Sequence, residues 1–340
     1  MQNQINSPTA ITLLIPTHNR PKYVARCLAF YSSLAQEYEI LVLDSSTDQL
    51  TQRECKKVGG IEHVPLDSNI SFSRKLNIGG ELATGTYIAV CADDDIIFPE
   101  GLNTCADYLD KHPDVVAAHG NYLRHWVEDS GKIGLRETYV GAFASMLDTD
   151  VSALDRLQFH FHDYIPTFYA LTRRDCFITS FKATADSGVE FGLSEVLSSA
   201  MIVLSGKVAR LDVLYGSRES HQHNWVTDAR LQQMYCQSFI SAAIEAMLEL
   251  FPHHQQHNAR SLVSKLLVVN QGMNKVPLSS KQIALRADTT SNLSFSYCVS
   301  DTDSAIVRSQ IAYLFKTNRA YNRQEMIALR EALYLPSQEA

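Results

Sequence analysis

The chain has 340 residues, 45% of them hydrophobic, so it is too long for one small domain and can bury a large core. Its formal net charge of −7 argues against nucleic acid as a partner. No stretch approaches the roughly 18 apolar residues of a membrane helix, residues 1–8 lack a signal-peptide pattern, and the seven cysteines have no CxxC spacing, so we expect a cytoplasmic protein with reduced thiols and no transmembrane segment.

Two apolar runs near the N-terminus predict the beginning of a parallel sheet. Residues 11–15 and 40–43 are short and show no polar alternation, which is typical of buried strands. Between them, apolar residues recur at helical spacing after Pro21, which suits a first helical turn, and Asn19 is a suitable N-cap. Together these segments predict a strand–helix–strand unit of a parallel sheet.

Three consecutive aspartates, Asp93, Asp94 and Asp95, follow a third apolar run at residues 87–92. Ligands of open α/β sheets bind at the carboxyl ends of such strands. Three adjacent carboxylates repel one another, and a hard divalent cation such as Mg²⁺ or Mn²⁺ removes that conflict while bridging carboxylates to substrate phosphates. We therefore predict a metal and phosphate site here. The chain has neither a GxGxxG nor a GxxxxGK[ST] motif, which disfavours a dinucleotide site or a P-loop.

Five pieces of sequence, in this order and spacing, resemble glycosyltransferase family 2. They are residues 16–20 (PTHNR), 42–48 (VLDSSTD), 77–79 (NIG), 85–88 (GTYI), and the aspartate triplet with Pro99. The resemblance is clear over roughly residues 10–120, with a weaker tail to about 228. It implies a GT-A fold, with a mostly parallel central sheet flanked by helices. It also implies metal-dependent, inverting transfer of a sugar from a nucleotide-diphosphate sugar, most commonly a uridine diphosphate sugar, to a hydroxyl of a glycan or another acceptor.

The resemblance further implies which side chains hold the donor. Asp44 would accept a hydrogen bond from the nucleotide base, and the aspartate triplet would bind the ribose and the metal. The implied nucleotide-sugar contacts are Pro16, Thr17, Arg20, Asp44, Ser46, Asn77, Asp93, Asp94 and Arg218.

One departure from the family pattern leaves two registers open. The family often has Asp-x-Asp-Asp, with a proline four residues after the last aspartate. Asp95 and Pro99 satisfy that interval, but the first aspartate of the pattern falls on Ala92. Either Asp93 and Asp95 form the metal-binding pair, or the ribose contact is shifted to Asp93 or Asp94. Asp95 is a metal ligand in both registers.

Inverting transfer also needs a base that takes the proton of the acceptor hydroxyl. In the family this base is the aspartate of a Glu-Asp pair downstream of the triplet, and this chain has no such pair there. Ser194 and Glu195 align best, so the resemblance points to Glu195 as the catalytic base. Glu190 and Asp186 are the alternatives.

Residues 208–215 predict another strand, which is followed by Arg218, His221 and His223. Several GT-A enzymes place an arginine or a histidine from this loop over the diphosphate or on the metal, and the side-chain chemistry suits both roles. By this resemblance Arg218 contacts the diphosphate and His221 completes the metal ligands. The aromatic residues at 159–169 either line an acceptor groove or, in larger part, belong to the core.

After about residue 228 only helical patterns remain, at residues 231–251, 262–269, 303–316 and 323–335. We therefore divide the chain into a glycosyltransferase domain at 1–228, with a nucleotide half at 10–120 and an acceptor half at 121–228, and a helical region at 229–340. This region covers the sheet, forms an acceptor lid or makes a homo-oligomer.

Two functions remain open at the level of sequence. One is the glycosyltransferase. The other is a catalytically silent nucleotide-sugar binding or scaffold protein on the same fold. Ala92 and the missing Glu-Asp pair leave this alternative open. A nucleotidyltransferase is disfavoured, because residues 16–20 are not the glycine-rich basic loop that such an enzyme needs after its first strand.

Overall fold

The protein is described here from a computed structural model, which covers residues 11–34, 38–127, 133–138, 150–162, 164–220, 237–271 and 323–333. The strands are β1 (Ile11–Thr17), β2 (Glu39–Asp44), β3 (Ile61–Pro65), β4 (Tyr87–Val90), β5 (Ile96–Ile97), β6 (Val115–Val127), β7 (Ile133–Thr138), β8 (Leu171–Arg173) and β9 (Lys207–Glu219).

The helices flank these strands along the chain. They are α1 (Pro21–Ser32), α2 (Leu50–Lys57), α3 (Phe72–Leu82), α4 (Pro99–Lys111), α5 (Ala153–His162), α6 (Arg174–Asp186), α7 (Phe191–Ser205), α8 (Gln237–Leu248), α9 (His253–Gln271) and α10 (Arg323–Leu333), with a short 3-10 helix at Thr167–Tyr169. Among the described helices, none combines the length and hydropathy needed to cross a membrane.

All nine strands belong to one sheet, in the order β3-β2-β1-β4-β8-β6-β9-β5, with β7 paired to β6. The first four strands in this order are parallel, as the sequence predicts, so β1, β2 and β4 end at the same edge. Beyond them β8 is antiparallel to both β4 and β6, and β6 is parallel to β9. The two-residue strand β5 then pairs antiparallel with the end of β9, with Ile96 opposite Ser217. This pairing brings the segment after the aspartate triplet against the end of β9.

The apolar runs of the strands have no polar alternation because both faces of the sheet are covered. Leu13 and Ile15 of β1 pack on one face with α1 and α4, and the intervening Leu14 packs on the other face with α3, α6 and α7. Successive strand residues point to opposite faces, so a strand buried on both sides is apolar throughout. The sequence pattern thus predicts both the strands and the helical layers that cover them.

The beginning of α1 differs from the prediction. Asn19 does not cap the helix: its φ of 54° lies in the left-handed region, which asparagine tolerates better than most residues. Its side-chain oxygen accepts a hydrogen bond from the backbone N–H of Thr47 at 2.8 Å, and its own N–H donates to Ser46 Oγ at 2.8 Å. Arg20 occupies the N-cap position without a side-chain cap. Asn19 therefore joins the loops after β1 and β2.

The C-terminal helices belong to two different cores. Helices α8 and α9 share a hydrophobic cluster with α5 and α7, whereas α10 packs into the cluster that contains α1 and α4. These three helices confirm the predicted patterns where they are described, and the predicted helix at 303–316 lies outside the described residues. The predicted domain boundary at 228/229 also lies outside them.

Helix α10 should be an integral part of the nucleotide-half core. Leu329 is buried beside α1, whereas Ile327 on the same helix is 46% exposed. We expect Leu329→Ala to lower the free energy of unfolding by about 2–4 kcal/mol, the usual cost of a cavity in a packed core. Chemical denaturation measures this loss, and Ile327→Ala is the matched control with little effect. Equal, small effects of both substitutions would show that α10 does not pack as described.

Candidate active site

The carboxyl ends of β1, β2 and β4 meet at one edge of the sheet. Thr17, the last residue of β1, lies opposite Asp44, the last residue of β2. The Thr17 hydroxyl donates to Asp93 Oδ2 at 2.7 Å, which links the end of β1 to the aspartate triplet that follows β4. The structure therefore brings three of the predicted donor-binding residues to one edge, as the strand-end argument requires.

Arg20 neutralises one end of the aspartate triplet. Its Nη1 lies 2.6 Å from Asp93 Oδ1 and its Nη2 lies 2.7 Å from Asp94 Oδ2. The guanidinium also stacks over the ring of Tyr23, 4.1 Å from the ring centroid. A planar guanidinium can bind two oxygens at once, so one arginine holds two neighbouring carboxylates.

Asp95, at the other end of the triplet, is held by the end of β9. The backbone N–H of Glu219 donates to Asp95 Oδ1 at 2.9 Å, and Arg218 Nε lies 3.4 Å from Asp95 Oδ2. The Glu219 side chain in turn forms an ion pair with Arg26 of α1. These contacts follow from the pairing of β5 with β9, which the sequence does not reveal because their pairing partners are more than a hundred residues apart.

Burial strongly perturbs two carboxylates of the triplet. Burial raises the pKa of Asp93 to about 7, although the charge of Arg20 opposes the shift. Burial also raises the pKa of Asp95 to about 8, against the opposing charge of Arg218. Strongly perturbed carboxyl groups at the ligand-binding edge of an α/β sheet are typical of functional sites.

Asp44 is also held on both oxygens. The backbone N–H of Ser46 donates to Oδ1 at 2.8 Å, and His63 Nε2 on β3 lies 2.8 Å from Oδ2. Ser46 therefore supports Asp44 through its main chain. The sequence does not single out His63. The one signal is its place on β3, opposite Val42 of β2 and two residues before the end of the strand.

A buried lysine, Lys75 of α3, supports the same edge. Its Nζ donates to the carbonyl of Thr17 at 2.6 Å and to Ser45 Oγ at 2.7 Å, and burial lowers its pKa to about 8. The sequence analysis missed this residue too. A signal exists, since Lys75 lies four residues before Gly79, where an added Cβ would lie only 2.5 Å from Leu43 Cδ1. A lysine on the core-facing side of a helix is unusual enough to mark a site.

Three predicted site residues are not among these contacts. Asn77 is fully buried, and its side-chain N–H donates to Glu81 on the same helix at 2.9 Å, so its contact with the donor stays a prediction. Pro16 lies within β1 opposite Leu43. His221, predicted as a metal ligand, lies outside the described residues.

Glu195 is the one base candidate that lies near the cluster. It is in the second turn of α7, where Tyr164 Oη donates to Glu195 Oε1 at 3.2 Å. Burial raises the pKa of Glu195, while the charge of Arg218 and the Tyr164 hydrogen bond oppose the shift. Glu190, by contrast, is exposed at the N-cap of α7, and Asp186 is exposed and ion-paired with Lys182.

Arg218 interacts with the triplet and influences Glu195. Besides approaching Asp95, its Nη2 donates to Tyr169 Oη at 3.2 Å and its guanidinium stacks over the Tyr169 ring at 4.5 Å. It also acts on Glu195 through its charge. Most aromatic side chains of residues 159–169 are buried core, as the sequence predicts, but Tyr164 and Tyr169 bond to site residues.

The triplet fits a magnesium-type cation in the mode that uses few protein ligands. Within the described residues, no group of three or more His, Cys, Asp or Glu side chains is arranged to hold a metal. Mg²⁺ commonly takes only one or two carboxylates and completes its shell with water and substrate phosphates. Asp95 Oδ2 lies 3.4 Å from Arg218, farther than the Asp93 and Asp94 oxygens lie from Arg20, so it is released to a cation more easily than those two oxygens.

A match to a known family accounts for the strand-end arrangement. Residues 12–179 match the model described as Glycosyl transferase family 2. These residues belong to glycosyltransferase family 2. The match includes the aspartate triplet, Thr17, Arg20 and Asp44, but it ends before Glu195 and Arg218. The family 2 match thus covers the strand-end cluster and not the two residues after it.

Two curated glycosyltransferases are similar to parts of this chain. A glucosyl-dolichyl phosphate glucuronosyltransferase of Haloferax volcanii is 30% identical over 126 residues, which cover 34% of this chain and 39% of that protein. The amylovoran biosynthesis glycosyltransferase AmsE of Erwinia amylovora is 26% identical over 145 residues, which cover 40% of this chain and 54% of that protein. The chain therefore spans about two fifths to half of the length of these relatives.

A solved structure has a similar fold. The crystal structure of S. aureus TarS 1-349 in complex with UDP-GlcNAc has a TM-score of 0.51 and 17% sequence identity, and the likeness covers 96% of this chain and 90% of that one. At this identity the likeness concerns the fold alone. It confirms the predicted GT-A architecture of a central sheet flanked by helices.

Removing the Asp95 carboxylate should stabilise the metal-free protein at high pH. Because burial raises its pKa to about 8, the folded state favours the protonated form. The resulting stability is full below the unfolded-state pKa and is lost as the pH rises through the folded pKa. With a chelator present, we expect the Tm gain of Asp95→Asn to be larger at pH 9 than at pH 5 by about 2–4 °C, the effect of roughly 1 kcal/mol in a protein of this size.

The matched control is Asp107→Asn, which changes an exposed carboxylate on α4. Its Tm difference from the wild type should be the same at both pH values. If the Tm difference between Asp95→Asn and the wild type is the same at pH 5 and pH 9, Asp95 is not buried in its protonated form.

Proposed function

We propose that this protein is a metal-dependent, inverting glycosyltransferase that takes a sugar from a nucleotide-diphosphate sugar. The observation that carries the proposal is that Arg218, which lies 3.4 Å from Asp95 of the strand-end triplet, also acts through its charge on the half-buried Glu195 of α7. Donor-binding chemistry and a proton acceptor are then both within the influence of one arginine. The acceptor is a hydroxyl, in keeping with the named glycosyltransferase relatives.

A uridine diphosphate sugar is the proposed donor. The similar TarS structure is a complex with UDP-GlcNAc, which supports this choice. Asp44 accepts a hydrogen bond from the base, and His63 and Lys75 hold the surrounding strand ends. Arg218 binds the diphosphate, since a guanidinium fork suits phosphate oxygens. Asp95, with Asp93, would hold Mg²⁺ or Mn²⁺, which when bound stabilises the charge that develops on the leaving diphosphate.

The proposed reaction is a single displacement at the anomeric carbon. The acceptor oxygen forms the new bond to this carbon as the bond to the diphosphate oxygen breaks, and the nucleoside diphosphate leaves with the bonding electrons. Glu195 takes the proton of the acceptor hydroxyl. A carboxylate whose pKa is raised is a stronger base than an exposed one, so the burial of Glu195 suits this role.

A second candidate function is a nucleotide-sugar binding protein without transferase activity. One observation favours it: every carboxylate of the triplet already has an arginine partner, Arg20 or Arg218. An assay of UDP-sugar turnover with and without Mn²⁺, run beside a binding assay, separates the two functions. Binding without turnover across a donor and acceptor panel would favour the silent protein, and Mn²⁺-dependent transfer would establish the enzyme.

Asp44→Ala should weaken donor use mainly through KM. A contact to the nucleotide base is the same in the ground and transition states, so its loss raises KM and leaves kcat nearly unchanged. We expect the donor KM to rise about tenfold or more, the scale of a hydrogen bond to a charged group. Glu62→Ala, an exposed carboxylate on β3, is the control. A collapse of kcat at constant donor KM would remove Asp44 from the base-binding role.

Glu195→Gln should lower kcat by about a hundredfold or more, the usual contribution of a general base, while donor affinity is nearly kept. The substitution preserves size and hydrogen bonding and removes basicity. Glu190→Gln, on the same helix but exposed, is the matched control with near-normal activity. If Glu190→Gln is inactive and Glu195→Gln is normal, the base assignment is wrong by five residues. If both variants keep full activity, the base lies elsewhere.

A further inference from the structure

The chain that leads from α5 to the 3-10 helix places two tyrosine hydroxyls on two charged groups of the site. Tyr164 donates to Glu195 Oε1 at 3.2 Å, and Tyr169 accepts from Arg218 Nη2 at 3.2 Å. The two tyrosines are five residues apart and belong to opposite sides of the proposed reaction. The same short segment therefore contacts both the proposed base and the arginine proposed to bind the diphosphate.

From this arrangement we propose that Tyr164 is a positioning residue that fixes the Glu195 carboxylate for proton transfer and favours its ionised form. The inference rests on the proposed function and deepens it, since it names what orients the base. Glu195 lies outside the stretch that matches the family 2 model, whereas Tyr164 lies inside it.

The position of Tyr164 is set by packing. Leu157 and Phe161 of α5 belong to the same hydrophobic cluster as Leu193 and Leu197 of α7. Tyr164, two residues after the end of α5, packs against this cluster. The Tyr164 ring and the helix that carries Glu195 therefore share one core.

The neighbour of the Tyr164 ring is a neutral histidine. The His160 ring lies 5.0 Å from the Tyr164 ring in an edge-on arrangement. His160 is 2% exposed, burial lowers its pKa to about 3, and neither of its ring nitrogens has a hydrogen-bond partner in the described part of the chain. It thus stays neutral at working pH and adds no charge beside Glu195.

The hydrogen bond at Oε1 leaves the second carboxylate oxygen for the acceptor. Within the described residues, the structure shows no hydrogen bond to Glu195 Oε2. One oxygen held by Tyr164 and the other open is the arrangement that a general base needs, because it must meet a hydroxyl at hydrogen-bond distance. The tyrosine hydrogen bond also lowers the pKa of Glu195, against the larger effect of burial.

The charges that face Glu195 are few. Arg218 of β9 lowers its pKa, and Tyr169 lies beside that arginine. On the helices packed around α7, Arg156 of α5 donates to the carbonyls of Val203 and Leu204 at the other end of α7. Two ion pairs are exposed, Lys182 with Asp186 on α6 and Glu245 on α8 with Arg260 on α9. Besides burial, the groups that shift the pKa of Glu195 are Arg218 and Tyr164.

Tyr164→Phe tests the inference, since it keeps the ring and removes only the hydroxyl. With Mn²⁺-dependent hydrolysis of UDP-GlcNAc as the probe, we expect kcat to fall about tenfold at pH 6 and clearly less at pH 8.5, because loss of the hydrogen bond disfavours the ionised base. The donor KM should stay within about twofold, as for a contact that is not made to the donor. Tyr169→Phe is the matched control, and it should change the donor KM without changing the pH dependence of kcat.

A second readout needs no turnover. The hydrogen bond from Tyr164 stabilises the ionised form of Glu195, which is more populated at pH 8.5 than at pH 5.5. The loss of unfolding free energy caused by Tyr164→Phe should therefore be larger at pH 8.5 than at pH 5.5. In a Glu195→Gln background this pH dependence should vanish, and kcat should fall no further when Tyr164→Phe is added.

The outcomes distinguish this inference from the proposed function. If Glu195→Gln loses activity but the Tyr164→Phe profile overlays the wild type at every pH, Tyr164 does not position the base and the transferase proposal stands. If the unfolding free energies show that the effect of Tyr164→Phe depends on Glu195 but kcat is unaffected, the hydrogen bond is structural only and the inference is overturned. If wild-type protein turns over no donor, or Glu195→Gln is fully active, the proposed function fails and the inference fails with it.

Discussion

The site depends on the pairing of three adjacent carboxylates, two buried and one half-buried, with two arginines. Burying unpaired charges costs several kcal/mol each, so the triplet could not occupy this edge without partners. Arg20, just before α1, holds one end, and Arg218, at the end of β9, holds the other. These two residues are nearly two hundred positions apart. The β5–β9 pairing is what brings the second arginine to the triplet, so the mixed half of the sheet completes a site that begins in its parallel half.

The charge balance of this cluster bears on the proposed role of a cation. Three carboxylates and two guanidinium groups leave a formal charge of −1, to which a diphosphate would add negative charge. The raised pKa values of Asp93 and Asp95, about 7 and about 8, mean that the metal-free site offsets its charge by retaining protons. Metal binding releases such protons, so a site that retains protons near neutral pH is one that a divalent cation can enter in exchange.

The sequence predicts the donor half well because the relevant signals are local. Buried strands have continuous apolar runs, and the side chains that follow them fall at one edge by the geometry of a parallel sheet alone. Asn19 shows where such reasoning fails: it is a good helix cap by type, but tertiary contacts place it in a left-handed turn that joins two loops. Lys75 and His63 were missed because their roles come from neighbours on other elements, which no spacing along the chain reveals.

The acceptor half was less predictable for the same physical reason. Glu195 was found by alignment to a motif that this chain only partly keeps, and its environment, made by Tyr164 and Arg218, comes from three separate elements. The aromatic pattern at residues 159–169 was correctly assigned mainly to the core, yet it also supplies the two hydroxyls of the site. Core and function are not separable in this segment, since the packing that buries its rings is what holds its polar ends in place.

Helix α10 supports the aspartate triplet indirectly, through α4. Helix α4 begins at Pro99, four residues after Asp95, and its second residue, Glu100, donates its backbone N–H to Glu325 of α10 at 2.7 Å. A carboxylate at the N-terminus of a helix satisfies a free N–H group and interacts favourably with the helix dipole. The cap for the helix that follows the aspartate triplet thus comes from a segment 225 residues away. The helical region at the end of the chain therefore contributes to the architecture of the site, because α10 fixes the point at which the triplet loop passes into α4.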